Sequence, residues 1–461
     1  MAYTCTDCGH QVPKWLGRCP GCGEWGTLEE NTGAASSVRT KAKPTPHGQK
    51  PAPITDVDAT LARARPTGVG EFDRVLGGGL VPGAVILLAG EPGVGKSTLL
   101  LDVCARTARE GGIVLYVSGE ESSGQIRLRA ERIGALEKTL LLAAQTDLGV
   151  VLGMLSEIKP DFLVIDSVQT LSSAEVDGVP GGVTQVREVA AGVIRAAKDH
   201  GIPTVMVGHI TKDGNVAGPR LLEHLVDVVC QFEGERHSRL RMLRAAKNRF
   251  GPTDEVGCFD MTEAGIRSLP DPSGLFLSRS RKPTPGTCLT VTQEGRRPMT
   301  VEIQALVDLS SQGPGRRNVT GVDPGRVAMM AAVMSKRMRV ETKNPDIFVA
   351  TVGGVRITEP AADLAVCLSL ASAVADTEVY GRLVAIGEVS LSGEVRAVPD
   401  VELRLAEAAR QGIVNAIVAR GALDGARVPE SLRVREVDTV EDAMDLVMPA
   451  RARAGAGSPA D

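Results

Sequence analysis

The sequence lacks long apolar runs and an excess of positive charge. Its uninterrupted apolar stretches, such as Ala84–Ala89, are far shorter than the roughly 20 residues that a membrane-spanning helix requires. No N-terminal segment joins a basic start to an apolar run, as a secretory signal would. We therefore expect a cytoplasmic protein. The formal net charge of -4 gives no general attraction to nucleic acid, so any DNA contact has to come from a local basic surface.

The sequence also lacks internal repeats and evenly spread cysteines. No motif recurs at a period of about 20 to 50 residues, the spacing typical of solenoids and propellers. Four of the nine cysteines crowd the N-terminus, while the others are scattered singly in apolar or mixed surroundings. This asymmetry indicates one metal site plus ordinary core thiols rather than a disulfide framework.

The N-terminal cysteines form two C-x-x-C pairs, and a glycine that can fold tightly follows each pair. Four soft thiolates in a tetrahedron select zinc. A segment this small has almost no core, so metal binding has to supply its folding energy. We expect His10 to be a surface residue rather than a ligand. The predicted zinc ligands are Cys5, Cys8, Cys19 and Cys22.

Length and composition indicate a soluble globular chain of about three domains. The 461 residues exceed one ordinary core at roughly 150 residues per domain. A polar segment rich in proline and lysine, with no apolar period, separates the zinc module from the rest. We expect a zinc module at 1–30, a linker at 31–55, a nucleotide-binding core at 56–270, a second α/β domain at 271–449 and a disordered tail at 450–461.

The core pattern alternates short apolar runs with amphipathic stretches such as Gln185–Asp199, which predicts a mostly parallel sheet flanked by helices. The predicted strands are Ala84–Gly90, Ile113–Ser118, Phe162–Ser167, Pro203–Ile210, Val226–Phe232 and Leu240–Lys247. In the second α/β unit the predicted elements are a strand at Asp346–Val352, a helix at Pro360–Ala375, a hairpin at Leu383–Val398 and a helix at Asp400–Gln411.

A phosphate-binding loop follows the first of these strands. Its sequence fits G-x-x-x-x-G-K-[ST] and opens an apolar-periodic helix, which is the context that the motif requires. Glycines let backbone N–H groups wrap phosphates, Lys96 reaches the β and γ phosphates, and Ser97 binds magnesium. The predicted ATP-binding residues are Gly90, Glu91, Pro92, Gly93, Val94, Gly95, Lys96, Ser97 and Thr98.

Acidic residues end two further strands. Asp166 closes the apolar strand FLVID, a Walker B pattern that places its carboxylate on the magnesium shell. Glu120 and Glu121 follow IVLYVS, where the carboxyl edge of a parallel sheet opens toward ligand. We assign Glu120 as the base that orients the attacking water, with Glu121 as the alternative and a solvated turn as the non-catalytic interpretation.

The sequence resembles the bacterial RadA/Sms family nearly from end to end. Besides the zinc knuckles and the phosphate loop, its shared signatures are Thr67–Gly79, Val117–Ser122 and Lys247–Gly251. The resemblance implies an α/β fold with a RecA-like P-loop ATPase core, an N-terminal four-cysteine zinc module and a C-terminal Lon-protease-like domain. It also implies a hexameric ring that acts on single-stranded and branched DNA in recombination and repair, with a RecA-type recombinase as partner.

The resemblance also assigns roles to single residues. The loops at Ser172–Thr184 and Thr211–Leu221 would face DNA, with Lys212 and Arg220 meeting phosphates, although ordinary mobile loops are an alternative. His209 would sense the γ-phosphate or be merely structural. Lys247 and Arg249 would act on the ATP of a neighbouring subunit, whereas the alternative is a strand end with solvated cations and a core phenylalanine.

The C-terminal part resembles the proteolytic domain of Lon, notably at Gly387–Val398. Lon-type peptidases use a serine nucleophile in a P-S-A-G context and a lysine that activates it. This sequence has Ala361 at the first place, within Pro360–Asp363, and Glu402 at the second. We therefore expect a catalytically inactive scaffold, and a candidate platform for duplex DNA. The rivals to a DNA motor are an ATP-dependent protease and a non-motor ATP switch.

Overall fold

A computed structural model describes residues 3–30, 53–56, 59–209, 221–234, 239–278, 284–308, 315–337, 345–379 and 382–448. The chain forms two compact units, Met1–Ala59 and Thr60–Asp461. Among the described residues, no helix combines the length and the apolar character needed to span a membrane. The predicted tail 450–461, and the predicted linker apart from residues 53–55, lie outside the described residues.

The N-terminal unit contains a small antiparallel sheet with the strand order β2-β1-β3. Its strands are β1 (Tyr3–Cys5), β2 (Gln11–Val12) and β3 (Leu28–Glu30). The buried apolar cluster beneath them comprises only Cys5, Val12, Cys19 and Leu28. Two of these are thiols, so the module has too little apolar core to fold without a further constraint such as a metal.

The nucleotide-binding core is built on a nine-stranded sheet in the order β12-β11-β10-β9-β4-β8-β7-β5-β6. The strands are β4 (Val85–Gly90), β5 (Val114–Ser118), β6 (Leu140–Ala144), β7 (Phe162–Asp166), β8 (Thr204–His209), β9 (Val228–Glu233), β10 (Leu240–Asn248), β11 (Val256–Thr262) and β12 (Gly265–Ser268). Strands β9, β4, β8, β7, β5 and β6 are parallel, whereas β10, β11 and β12 pair antiparallel.

The predicted strand Leu240–Lys247 is therefore present, but the parallel pattern predicted for the sheet does not extend to it. Only residues 234–239 join β9 to β10. A parallel pair needs a crossover of a dozen or more residues, so this short connection permits only an antiparallel pair. Strands β6, β11 and β12 were not predicted.

Helices cover both faces of this sheet because its central strands are apolar on both sides. Ile86 and Leu88 of β4 join one buried cluster, and Val85 and Leu87 join the other. The helices are α1 (Gly70–Leu76), α2 (Lys96–Arg109), α3 (Ser123–Arg132), α4 (Leu148–Ile158) and α5 (Val183–His200). Two short 3₁₀ turns, Ile54–Asp56 and Ala59–Ala62, precede α1.

The C-terminal domain is a seven-stranded sheet in the order β15-β16-β14-β13-β17-β20-β21 with a separate hairpin. Its strands are β13 (Thr287–Glu294), β14 (Arg297–Asp308), β15 (Arg317–Thr320), β16 (Asp346–Thr351), β17 (Leu383–Ile386), β18 (Glu388–Val389), β19 (Val395–Arg396), β20 (Asn415–Ala419) and β21 (Arg433–Val437). Its helices are α6 (Pro324–Arg337), α7 (Asp363–Val374), α8 (Val401–Arg410) and α9 (Val440–Val447).

Two predictions for this domain need correction. The hairpin expected over Leu383–Val398 is only the short pair β18–β19, because β17 instead pairs in parallel with β13 and β20 inside the main sheet. The helix expected from Pro360 begins with a 3₁₀ turn, Pro360–Ala362, before α7 starts at Asp363.

A buried ion pair and a shared core join the C-terminal domain to the nucleotide-binding core. The Arg297 guanidinium pairs with the Glu71 carboxylate, and both side chains are under 10% exposed. Arg297 also donates to the carbonyl oxygens of Val256 at 3.0 Å and Leu269 at 3.1 Å, while Glu71 accepts from Cys258 N at 2.9 Å. One apolar cluster contains residues of β11 together with residues of the C-terminal sheet. The two domains therefore pack as one body.

Candidate functional site

The phosphate loop runs between β4 and α2, and its backbone requires glycine. Gly93 and Gly95 have φ angles of 80° and 108°, in the left-handed region that L side chains rarely adopt. A Cβ on Gly90 would lie 2.4 Å from the carbonyl oxygen of Phe232. The loop therefore brings its backbone N–H groups to the N-terminus of the 14-residue helix α2, where the helix dipole favours an anion.

Lys96 lies in this loop with its ammonium group held in place. Its Nζ donates to the carbonyl oxygens of Gly90 at 2.8 Å and Glu91 at 3.0 Å. Burial lowers the pKa of Lys96, and the nearby carboxylates of Asp166 and Glu120 oppose that shift. An ammonium group desolvated in this way is suited to bind phosphate oxygens.

Asp166 ends β7 and has one oxygen ready for a ligand. Tyr116 on the neighbouring strand β5 donates its hydroxyl to Asp166 Oδ2 at 2.6 Å. Asp166 is 5% exposed, and its Oδ1 has no hydrogen-bond partner among the described residues. A buried carboxylate oxygen without a donor is costly, and a divalent cation is a group that would satisfy it. The donor chemistry therefore fits magnesium.

Glu120 and His209 complete the cluster around Lys96. Glu120 Oε1 accepts from Ser167 Oγ at 2.5 Å and from His209 Nε2 at 2.8 Å, while His209 Nδ1 lies 3.3 Å from Lys96 Nζ. The bond from His209 is the largest cause of a lowered pKa for Glu120. Ligand atoms of Glu120, Asp166 and His209 all lie within 4.8 Å of one another.

Glu121, the alternative base, is turned away from this cluster. Its carboxylate forms an ion pair with Arg129 of α3. Ser122 is the N-cap of that helix and exchanges hydrogen bonds with Gln125 in a capping box. The two adjacent glutamates therefore have different side-chain partners. Of the two glutamates, only Glu120 is within hydrogen-bond distance of His209 and Ser167 in the described structure.

Lys247 and Arg249 lie at the opposite edge of the sheet from the phosphate loop. Arg249 Nη1 donates to Asp227 Oδ1 at 2.9 Å, and Asp227 Oδ2 accepts from the N–H of Val85 at 3.1 Å. Val85 starts β4 and Gly90 ends it, so about 17 Å separates these edges at roughly 3.3 Å per residue. Neither cation can therefore reach the phosphate loop of its own chain.

The surroundings of this motif differ from the predicted strand end. Lys247 Nζ donates to the carbonyl oxygens of Glu223 at 2.8 Å and Val226 at 2.7 Å, so it is not a freely solvated cation in this structure. Arg249 remains 53% exposed despite its ion pair. Phe250 is 41% exposed, so the interpretation of this residue as a core phenylalanine is wrong.

Only one of the two predicted DNA loops lies among the described residues. Lys212 and Arg220 lie in residues 210–220, outside the described part of the chain. The loop at 172–184 is described, and Gln185 organises it by accepting from Ser173 N at 2.8 Å and donating to the carbonyl oxygen of Val176 at 2.7 Å. Val179 in this loop is 74% exposed.

The four N-terminal cysteines converge on one point. Their sulfur atoms all lie within 4.8 Å of one another, and the pairs Cys5–Cys22 and Cys8–Cys19 are each 3.6 Å apart. Four sulfurs at 2.3 Å from a tetrahedral zinc would be about 3.8 Å apart, so the geometry fits that ion.

The C-terminal domain has no nucleophile or base at the positions that correspond to those of a Lon-type peptidase. Ala361 is buried within the 3₁₀ turn before α7, and Glu402 is an exposed residue of α8 whose carboxylate accepts from Arg427 N at 3.3 Å. Asp363, the next residue after the turn, forms an ion pair with Arg326. An alanine and a solvated carboxylate cannot perform the serine and lysine chemistry.

Sequence reasoning missed three residues that position the site. Tyr116 and Ser167 hydrogen-bond the carboxylates of Asp166 and Glu120, and Arg241 of β10 donates from Nε to the carbonyl oxygen of Val94 at 3.1 Å. The only sequence feature that could have indicated Tyr116 is its hydroxyl group among the apolar residues of β5. Nothing in the local sequence of Arg241 indicates that it reaches the phosphate loop.

Comparisons with known proteins match the three parts separately and the chain as a whole. Family models match the rubredoxin metal binding domain at residues 3–30, an AAA domain at 50–215, and the Lon protease (S16) C-terminal proteolytic domain at 326–450. The predicted fold class, a RecA-like ATPase core between a four-cysteine zinc module and a Lon-like domain, is confirmed. These matches support nucleotide use and zinc binding.

Curated relatives cover almost the entire chain. A protein of Mycolicibacterium smegmatis named DNA repair protein RadA is 51% identical over 453 residues, which are 96% of each chain. Proteins of the same name from Bacillus subtilis and Streptococcus pyogenes are 44% and 43% identical, over 96% of this chain in each case. The chain therefore belongs to the RadA family of DNA repair proteins, as its motifs led us to expect.

Proposed function

We propose that the protein is an ATP-driven DNA motor that moves along single-stranded DNA and processes branched recombination intermediates during homologous recombination and repair. The observation that carries this proposal is the division of the predicted site residues between two edges of the sheet. The phosphate loop, Asp166 and Glu120 lie at the carboxyl edge, and Arg249 lies about 17 Å away at the other. Such a division suits a ring in which neighbouring subunits complete each site.

Within one subunit, each residue has a distinct task. The backbone of Gly90–Thr98 binds the phosphates, and Lys96 neutralises their charge. Ser97 and Asp166 would hold Mg²⁺, which polarises the transferring phosphoryl group when bound. Glu120 orients the attacking water, and His209 links Glu120 to Lys96, so it is positioned to sense the γ-phosphate. Arg249 of a neighbouring subunit, with Lys247, then meets charge that develops on the phosphoryl group.

The assembly is a homohexameric cytoplasmic ring that contacts single-stranded and branched DNA and cooperates with a RecA-type recombinase. Lys212 and Arg220 are its candidate phosphate contacts. The Lon-like domain acts as a ring scaffold rather than a peptidase, because Ala361 and Glu402 supply neither nucleophile nor base. The buried pair Arg297–Glu71 supports this role, since it ties the scaffold to α1 of the ATPase core.

The experiment is a comparison of Glu120→Gln with Glu121→Gln in DNA-stimulated ATP hydrolysis. Glu120→Gln should bind ATP and lose about 10²- to 10⁴-fold in rate, the usual contribution of a general base. Glu121→Gln should keep most of its activity because that carboxylate pairs with Arg129. The reverse ranking would overturn our assignment of the base. Turnover that DNA does not stimulate would favour a non-motor ATP switch.

A further inference from the structure

The two tryptophans of the chain both lie on the zinc module, and both are exposed. Trp15 is 59% and Trp25 is 73% exposed, and the chain contains no other tryptophan. Tryptophan is a highly buried residue on average, and this module has only a four-residue apolar cluster. A domain so short of core would gain stability by burying its indoles. Their exposure therefore indicates a surface that a ligand covers.

The two indoles both lie beside the same glycine, Gly17. A Cβ on Gly17 would be 3.5 Å from Cζ3 of Trp25 and 3.9 Å from Cη2 of Trp15. Backbone pairing fixes the loops that carry them, because Arg18 and Trp25 form an antiparallel bridge and Gly26 N donates to the carbonyl oxygen of Gly17 at 3.0 Å. Since Gly17 has no side chain, both rings can lie close to its backbone.

Both cations of the module lie close to the tryptophans in sequence. The guanidinium carbon of Arg18 lies 6.0 Å from the ring centroid of Trp25, and Arg18 Nε donates to the carbonyl oxygen of Gly23 at 2.6 Å. Lys14, which is exposed, immediately precedes Trp15. The sequence of residues 3–30 contains no other lysine or arginine, so both cations of the module adjoin its tryptophans.

We propose that Trp15 and Trp25 form a stacking platform for single-stranded nucleic acid, with Lys14 and Arg18 contacting its phosphates. Aromatic rings beside cations are the usual elements of sequence-tolerant single-strand binding, because every base has a π-face and every nucleotide a phosphate. This proposal rests on the DNA motor proposed above, and it adds a contact outside the ATPase core. Arg18 disfavours a basic protein as the occupant, since like charges repel across an interface.

The position of the tryptophans provides the test, because tryptophan emission of the full-length protein, excited where its three tyrosines absorb little, reports only this platform. Oligo(dT) should change the tryptophan emission and reduce its quenching by iodide. Both changes should follow the same binding curve as the anisotropy of labelled oligo(dT). Trp25→Ala should weaken binding at the platform by roughly 5- to 150-fold, the range found for loss of one stacked base, whereas Trp25→Phe should retain most of the affinity. Arg18→Ala should reduce the slope of log K against log salt by about 0.7.

Glu24, the acidic neighbour of Trp25, distinguishes nucleic acid from a protein partner. Glu24→Gln should strengthen oligo(dT) binding, because it removes a negative charge beside the phosphate path. Weaker binding in this variant would overturn the platform. If oligo(dT) binds with unchanged emission and iodide quenching, the platform proposal is contradicted and the proposal of a DNA motor is unaffected. If oligo(dT) does not bind at all, both proposals fail. Zinc content of each variant shows that the module is intact.

Discussion

Replacing Tyr116 by phenylalanine would remove a single hydroxyl from the buried side of the nucleotide site. That hydroxyl donates to Asp166 Oδ2 at 2.6 Å, and it leaves Oδ1 as the oxygen available to a cation. The phenyl ring fills the same space, so the change creates almost no cavity. We therefore expect the substitution to alter the orientation of Asp166 rather than the fold.

The magnitude follows from the type of bond. A hydrogen bond to a charged group contributes about 1.5 to 3 kcal/mol, and the carboxylate that loses it is 5% exposed, so water replaces it poorly. This free energy is divided between folding stability and the orientation of Asp166. The share of this free energy that orients the carboxylate raises the Mg²⁺ concentration needed for half-maximal hydrolysis. If all of it did so, that concentration would rise by about 10- to 150-fold.

The assay is ATP hydrolysis as a function of Mg²⁺, together with urea unfolding of the same samples. Tyr116→Phe should need more Mg²⁺ and recover much of its rate when Mg²⁺ is saturating. Thr204→Val is the matched control, because it removes a buried hydroxyl from β8 that donates to the carbonyl oxygen of Ile202 at 3.1 Å. An unchanged Mg²⁺ requirement in Tyr116→Phe, or an equal change in Thr204→Val, would refute the reasoning.

Three further predictions concern the other parts of the chain. Arg297→Ala should destabilise the protein by up to about 5 kcal/mol in urea unfolding, because it leaves the buried Glu71 carboxylate with only the partly exposed Arg74 as an ion-pair partner, whereas Arg420→Ala in an exposed pair should leave the midpoint nearly unchanged. Zinc chelation should unfold the N-terminal module alone, and a chain lacking residues 1–50 should still bind ATP; loss of ATP binding there would contradict the independence of the two units. Mixing Arg249→Ala with Lys96→Ala should restore some hydrolysis, and failure of exchanging subunits to do so would count against action in trans.

The parallel half of the ATPase sheet could be predicted because its strands are continuous apolar runs between helical segments. The direction of β10 follows from the length of its connection to β9 and not from its apolar residues, which alternate with Arg241 and Arg244, so the apolar runs alone did not predict it. The run LLLAA of β6 shows no strand-like alternation, and a short apolar run is equally compatible with a buried helix.

The candidate site was predictable where one local motif contains the chemistry. The phosphate loop and the cysteine pairs are such motifs, because their spacing alone determines which atoms converge. The surroundings of Glu120 depend instead on tertiary contacts, since Ser167 and His209 bond Glu120 whereas Arg129 pairs with Glu121. The distance of Arg249 from its own phosphate loop depends on which end of β4 it contacts, and no pattern in Lys247–Gly251 contains that information.

Unwinding of forked DNA by the wild-type protein and by Lys96→Ala tests the central claim most directly. The labelled strand of a fork with one single-stranded arm should be displaced by the wild type only when ATP and Mg²⁺ are present. Lys96→Ala should still bind the fork but displace nothing, because Lys96 is the cation held at the phosphate loop. ATP hydrolysis by the wild type without any displacement, or equal displacement by both proteins, would contradict a motor driven from this site.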